Sequence, residues 1–402
     1  MSLMPVHEAV QRVLADAAPL GTETIALEDA LGRVLAEDLA AKRTQPPADV
    51  SAMDGYAVRA DDVAEAPVTL DLIGEVAAGH PFDGEVKAGQ AARIFTGGLV
   101  PAGADCVIIQ EVARRDGARV LIERSGIRGK NIRRKGIDFS AGQVLLTRGT
   151  RLNDRDLMLA ASMNHTHFAA HRKPKVAVLG TGDELVPPGS EPKAGEIVYS
   201  NGFALTALSR MEEAEARDFG VARDRIEDIV ALMRAARDWG ADVLVTTGGA
   251  SVGEHDLVQR ALRSEGMDLS FWRVALRPGR PMMHGRLDRL QVLGVPGNPV
   301  SSYVCSFLFL VPLIRKLSGR TQIEHVRHRA TLGRDLPEND EREDYLRAVL
   351  TQGPDGEIAT PVRVQDSSLM APLSRSGCVV IRPPHAAAAS AGSRVDILKF
   401  GL

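Results

Sequence analysis

Leu290-Gln291-Val292-Leu293-Gly294-Val295-Pro296-Gly297-Asn298-Pro299-Val300-Ser301-Ser302 decides the fold. A short apolar run enters a turn built from Pro, Gly and Asn, and an apolar helical pattern follows from Tyr303 to Leu317. The spacing predicts a strand, a tight turn and a helix N-terminus. Free backbone N–H groups and the helix dipole favour an anion at such a start, and Ser301 and Ser302 add hydroxyls there. Just upstream, Arg273-Val274-Ala275-Leu276-Arg277-Pro278-Gly279-Arg280-Pro281 is a second loop, with three guanidinium groups. Together the two loops point to a small molecule bearing phosphate or another oxyanion. Arg273 and Arg277 are expected to converge on one oxyanion if the chain bends at Pro278.

Working upstream, Lys175-Val176-Ala177-Val178-Leu179-Gly180 opens an alternation of strands and helices. The strand at 175–180 leads to Thr181-Gly182-Asp183-Glu184 and a helix from about 201 to 215. A strand at 242–246 leads to Thr247-Gly248-Gly249-Ala250-Ser251 and a helix from about 255 to 265. This pattern predicts a mostly parallel sheet with its ligand loops at the strand C-termini. The glycines let backbone approach a ligand closely. Asp183, Glu184 and Asp256 bring carboxylates to the same edge, suited to a hard cation such as Mg²⁺ beside phosphates. Asp183 or Asp256 taken alone reads more readily as a helix or turn cap; three such loops in register favour the ligand reading. No GxxxxGK[ST] is present, and no GxGxxG follows a strand, so neither a P-loop nor a dinucleotide fingerprint is supported.

Outside this segment the texture changes. Residues 4 to 40 read as helical, with Val6, Val10, Val13 and Leu14 at helical spacing and Leu27, Ala30, Leu31 and Leu35 repeating it after Gly21. From about 45 to 142, short β-rich runs alternate with Gly and Pro turns. Asn153 is placed to cap a helix through Met163. After Arg320 the pattern is again β-like. The expected architecture is an α/β multi-domain chain. A central three-layer α/β domain with a mostly parallel sheet covers 174–322, and a discontinuous helical domain covers 1–44 and 143–173. A β-rich insertion covers 45–142 and a C-terminal β domain 323–402.

The 402 residues exceed one ordinary core. With 44% hydrophobic and 25% charged residues the composition is that of a globular protein. A formal net charge of −3 gives no overall pull toward nucleic acid or an acidic membrane, so an anion site must be a local cluster. The basic run Lys130 to Lys135 lacks the interleaved aromatics of a nucleic-acid site. Cys106, Cys305 and Cys378 are far apart and form no CxxC pair, so neither a disulfide framework nor a zinc knuckle is indicated and a reducing cytoplasm fits. Met1 to Leu14 shows no secretory pattern. The run Tyr303 to Ile314 is short for a membrane span and reads as a buried helix. His165 and His167, two apart, do not share a helix face.

Seven motifs occur in one order: Ser51 to Ala57, Ile94 to Gly98, Gly129 to Asp138, Gly180 to Leu185, Gly248 to Asp256, Arg277-Pro278-Gly279 and Gly294 to Ser301. In that order they resemble the MoeA family of molybdopterin molybdenumtransferases, which is similar to the E domain of gephyrin and its plant counterpart. The resemblance spans nearly the whole chain. It implies four domains, an elongated homodimer, and Mg²⁺-dependent insertion of molybdate into adenylylated molybdopterin with release of AMP.

By motif, catalytic roles fall to Asp54, Thr96, Asp138, Glu184, Asp224 and Asp256. Substrate and anion contacts fall to Arg133, Gly248, Gly249, Ser251, Arg273, Arg277, Arg280, Pro296, Gly297, Asn298, Pro299, Ser301, Ser367 and Ser368. Asp183, Glu184 and Asp256 are the expected cation ligands. One subunit's insertion is expected to face the other's α/β domain. Relatives commonly carry lysines where this chain has Arg273 and Arg277, and a His where it has Leu369. Arginine keeps the charge and adds a planar fork. The family also suggests the preceding adenylyltransferase and downstream cofactor-acceptor proteins as partners. Alternatives of other classes are a non-catalytic scaffold like gephyrin and the adenylyltransferase itself.

Overall fold

The computed structural model describes residues 3–248 and 257–401. Its centre is a six-stranded sheet in the order Glu215–Ala222, Lys175–Thr181, Val243–Thr247, Leu290–Val295, Met283–Leu287, Asp268–Trp272. The first four strands run parallel. Met283–Leu287 and Asp268–Trp272 form an antiparallel edge.

Alternation of side chains sorts the parallel strands into two cores. Val176, Val178, Val243, Val245, Leu293 and Val295 pack with the helices Asn201–Met211 and Pro299–Leu317. Ala177, Leu179, Leu244 and Val292 pack on the other side with Ile229 and Met233 of helix Ile226–Asp238 and Val258 and Leu262 of helix Leu257–Ser264. Burial on both faces explains why these strands read as unbroken apolar runs. The result is the expected three-layer α/β domain with a mostly parallel sheet.

The helix Pro299–Leu317 is long and apolar enough to cross a membrane, yet 83% of that stretch is buried inside the protein. Each fully buried Leu, Ile or Phe on it contributes about 1.5–3 kcal/mol. Its turn widens at Ser306–Leu310, just before Pro312. Pro312 has no N–H and its ring crowds the carbonyl one turn earlier, so a wider turn relieves the clash. At the far end, Glu212 accepts from Arg315 at 2.8 Å and Arg320 at 2.6 Å. These buried charges tie the end of helix Asn201–Met211 to the end of the long helix.

The N-terminal region departs from expectation. Helix Val6–Ala15 forms, but Val6, Ala9 and Val13 join the core beneath the long helix of the α/β domain. The helical spacing of Leu27, Ala30, Leu31 and Leu35 does not yield a helix. Thr22–Ala26 is a strand paired antiparallel with His167–His171, followed by a single tight turn at Leu27–Asp29, and Leu31 is exposed. Thr22, Thr24 and Ile25 are β-branched and favour the strand, and Gly32 turns the chain with φ +76°. The pieces flanking the insertion are further joined by the pairing of Leu39–Ala40 with Val144–Leu146. Helix Asp154–Ser162 begins at Asn153 as expected. The Asn153 side chain accepts from the N–H groups of Arg155 and Asp156, and Asp156 accepts from the Asn153 N–H, completing a capping box.

The β-rich insertion is a six-stranded sheet. The C-terminal region closes on itself: Glu343–Gly353 pairs with both Gly356–Pro361 and Cys378–Arg382, and Arg327–Leu332 and Arg394–Lys399 complete the ring. This barrel joins the α/β domain where Leu276–Arg277 pairs parallel with Glu343–Asp344.

Replacing Asn153 by Ala removes one half of the capping box. Thermal unfolding should show a loss of about 1 kcal/mol. An unchanged transition would mean the helix is held by its packing alone.

Candidate functional site

The parallel register sets the site. Gly180 lies opposite Thr247, and Thr247 opposite Val295, so three loops leave one sheet edge side by side. Gly248 has φ +90°, and a Cβ there would run into the Thr181 carbonyl, so only glycine brings these loops this close. A cleft of about 750 Å³ opens above this edge. Thr181, Gly182, Glu184, Asp224, Thr247, Gly248, Pro296, Gly297, Asn298, Pro299 and Ser368 line it.

Side chains brace the turn at the long helix's N-terminus. Asn201 donates to the Gly297 carbonyl at 2.8 Å. Asn298 donates to the Ser367 hydroxyl at 2.9 Å, and the Val300 N–H donates to the Ser367 carbonyl at 3.0 Å. Ser367 therefore clamps the turn, while Ser368 lines the cleft. Ser368 donates to Asp366 through both its N–H and its hydroxyl, which holds the Asp366 carboxyl below the usual range. Ser301 is buried within the helix.

The acids at this edge divide their work. Asp183 accepts from the Asp224 N–H at 3.2 Å, and Asp224 accepts from the Asp183 N–H at 3.4 Å. Each carboxylate caps the other's loop and keeps one oxygen outside this exchange. The Glu184 carboxylate folds over Gly182, filling the space a Cβ would take. Gly249, Ser251 and Asp256 lie outside the described residues. Among the described residues no three His, Cys, Asp or Glu side chains gather into a cation cage.

The arginine loop does not behave as one cluster. Arg277 donates through Nε to Asp344 at 2.8 Å and pairs through its other end with Asp340 at 3.1 Å. It is thus neutralised by the barrel and does not converge with Arg273 on one anion; the chain pairs with a barrel strand at Leu276–Arg277. Asp340 is held down at about 2, by the side chain and N–H of Arg342 first and by Arg277 further down. Arg273 sits differently. Its φ is +92°, its guanidinium lies over the Trp272 ring at 5.2 Å, and its buried Nε has no hydrogen-bond partner. Arg280 is exposed. None of the three lines the cleft, although the adjoining Pro281 does.

Two important residues escaped the sequence reading. Tyr199 lines the cleft, its ring covering Gly180 and Gly202, and its hydroxyl donates to Asp218 at 3.2 Å. Burial, then the Asp218 carboxylate, push its phenol well above the usual value. Arg347 is 1% exposed and donates to the carbonyls of Leu369, Val364 and Asp366. It nails the Ser367–Ser368 loop to the barrel. Its only sequence signal is a charge at an inward position of an apolar strand.

The insertion carries a separate constellation. Asp54 Oδ1 accepts from the Thr96 N–H at 2.7 Å and its hydroxyl at 2.8 Å. These bonds hold the Asp54 carboxyl below the usual range. Arg133 and Asp138 are exposed on the same segment as the Arg134–Asp49 ion pair of 2.6 Å. No residue of 45–142 lines the cleft.

All three cysteines are buried. Burial first pushes Cys106 up to about 11 and Cys378 up to about 12, so neither is a thiolate at neutral pH. His165 donates through Nε2 to the Ala40 carbonyl at 2.8 Å, and His167 lies on an exposed strand position.

Family models match along most of the chain: MoeA N-terminal region (domain I and II) over residues 4–164, probable molybdopterin binding domain over 177–316, and MoeA C-terminal region (domain IV) over 329–400. A molybdopterin molybdenumtransferase of Haemophilus influenzae is 35% identical, covering 95% of this chain and 95% of its own length. One of Bacillus subtilis is 33% identical over 98% of this chain and 94% of its own. The crystal structure of a molybdopterin biosynthesis MoeA protein from Pyrococcus horikoshii superposes with a TM-score of 0.86 at 30% identity, covering 99% of this chain and 100% of that one.

Arg347→Met should release the 364–369 loop and leave its carbonyls without donors. Hydrogen bonds to a charged donor are worth about 1.5–3 kcal/mol each, so thermal unfolding should move down clearly and limited proteolysis should cut within the loop. An unshifted transition with an intact loop would contradict the clamp.

Proposed function

The chain belongs to the MoeA family of molybdopterin molybdenumtransferases and is an enzyme of molybdenum cofactor biosynthesis, and we propose that it inserts molybdate into adenylylated molybdopterin with release of AMP. The observation that carries this reading is the cleft itself. Three strand-end loops, a helix N-terminus and the Ser367–Ser368 loop meet around a space of about 750 Å³.

The Pro296–Ser302 turn offers N–H groups and the positive helix end to the phosphates. Asn201 and Asn298 hold that turn in shape. Thr247, Gly248 and Ser368 line the opposite walls, where the glycine leaves room for the anhydride. Glu184 and Asp224 supply carboxylates at the rim, placed to orient the attacking water. Asp54 is ionised at neutral pH, and its Oδ2 accepts nothing from the protein among the described residues, leaving it free to act on the incoming oxyanion. Arg273 supports an oxyanion contact: it combines a strained backbone with a buried, unpartnered Nε. The dithiolene of the pterin receives the molybdenum, consistent with thiols kept protonated by burial.

The donor set fits Mg²⁺. This ion usually takes one or two carboxylates and fills its shell with water and substrate phosphates. Of the expected ligands, Asp183 and Glu184 offer hard oxygens without a closed cage, and Asp224 adds another; Asp256, the third expected ligand, lies outside the described residues. Bound there, the ion would neutralise phosphate charge. The remaining chemistry belongs to the side chains named above.

We further propose a cytoplasmic homodimer. The Asp54–Thr96 pair shares no wall with the cleft in one subunit, which supports a site completed by the insertion of a second copy. The adenylyltransferase of the preceding step and cofactor-acceptor proteins are the expected partners.

The test separates three activities in one assay. Adenylylated molybdopterin and molybdate should yield AMP, and Asp54→Ala should slow its release about 10²–10⁴-fold with the fold intact. Consumption of ATP with free molybdopterin would mark an adenylyltransferase instead. Consumption of neither would mark a scaffold.

A further inference from the structure

A second concavity lies on the C-terminal barrel, away from the strand-end cleft. It is an open trough of about 770 Å³. Its floor is apolar, with Val349, Pro361 and Ala371, and its rim carries Arg334, Arg363 and Arg375. No acidic side chain lines it. Arg363 and Arg375 are exposed, and their side chains enter no ion pair or hydrogen bond among the described residues. Arg334 makes only a long bond of 3.5 Å to the Pro361 carbonyl.

The neighbouring concavity makes a useful contrast. It shares Arg334 and Arg363 but is balanced by Asp335, Glu338 and Asp344. Its Arg277 is paired with Asp340 and Asp344, and its Arg382 is held by the carbonyls of Pro337 and Ala387. The barrel therefore satisfies its cations on one side of Arg334 and leaves them unmatched on the other. The region is not basic overall, because Asp335, Glu338 and Asp344 line the balanced side.

We propose that this trough docks an acidic, extended peptide segment of a protein partner. The unpaired Arg363 and Arg375 guanidiniums, with Arg334 beside them, supply carboxylate forks, and the apolar lining takes an aliphatic side chain between them. Nucleic acid is disfavoured, because no aromatic side chain lines the trough to stack a base. Arg363 and Arg375 do not line the cleft, although the helix Met370–Ser374 borders both concavities.

Fluorescence anisotropy with a labelled peptide of repeated Glu-Glu-Leu, titrated with the full-length protein at low ionic strength, tests the proposal. Wild type should bind, and binding should weaken with added salt. The double change Arg363→Glu, Arg375→Glu should weaken binding at least about tenfold, and Arg363→Lys, Arg375→Lys should retain most of it. Arg363→Gln, Arg375→Gln provides a milder pair should charge reversal disturb folding. Failure of wild type to bind, or equal binding by the neutral and reversed variants, overturns the proposal. So does a single-stranded RNA of matched charge that binds more tightly than the peptide and displaces it.

Discussion

Everything at the cleft depends on one register. Gly180, Thr247 and Val295 are aligned across three parallel strands, and the loops that follow them leave the sheet at one level. Because side chains alternate strictly, a one-residue slip would exchange the two buried faces and is heavily penalised. The two cores on either side of the sheet thus fix where Asp183, Gly248 and Pro296 emerge. The long helix does the same from behind. Its buried length anchors the turn at Pro296–Pro299 that lines the cleft.

The barrel is not a passive appendage. It reaches the cleft through the 364–369 loop, and Arg347 holds that loop from within the barrel. It holds the arginine loop as well, through Asp340 and Asp344 on Arg277. Burying the Arg277–Asp344 pair is costly in desolvation, and Asp344 shows it: burial pushes its carboxyl up despite the guanidinium beside it. Such a pair is better at fixing geometry than at adding stability. Arg273, by contrast, combines a positive φ with a buried Nε that has no partner among the described residues.

Sequence reading succeeded where a pattern reports local physics. The unbroken apolar strands, the Asn153 cap and the Pro-Gly-Asn turn carry their reasons within a few residues. It failed where distant partners decide. Leu27 to Leu35 has helical spacing, but pairing with His167–His171 and the β-branched residues before it win. The antiparallel edge at Asp268–Trp272 and Met283–Leu287 went unread, because His284, Gly285 and Arg286 interrupt the apolar pattern. Arg277 looked like a free cation, since its carboxylate partners lie more than sixty residues onward. Tyr199 announces itself only once the fold brings it to the cleft, and Arg347 only once the barrel sets it against the 364–369 loop. Of the functional residues, the motif order located the acids and the turn, whereas their division of labour needed coordinates.

In the proposed homodimer the cleft of one subunit works with the Asp54–Thr96 pair of another. Mixed dimers test it directly. One chain would carry Asp54→Ala and the other Glu184→Gln, each inactive alone, with separate tags to purify the hybrid. A shared site leaves one of the hybrid's two sites intact, so AMP release should return to about half the wild-type rate. A hybrid as inactive as its parents would place both groups within a single chain and contradict the account.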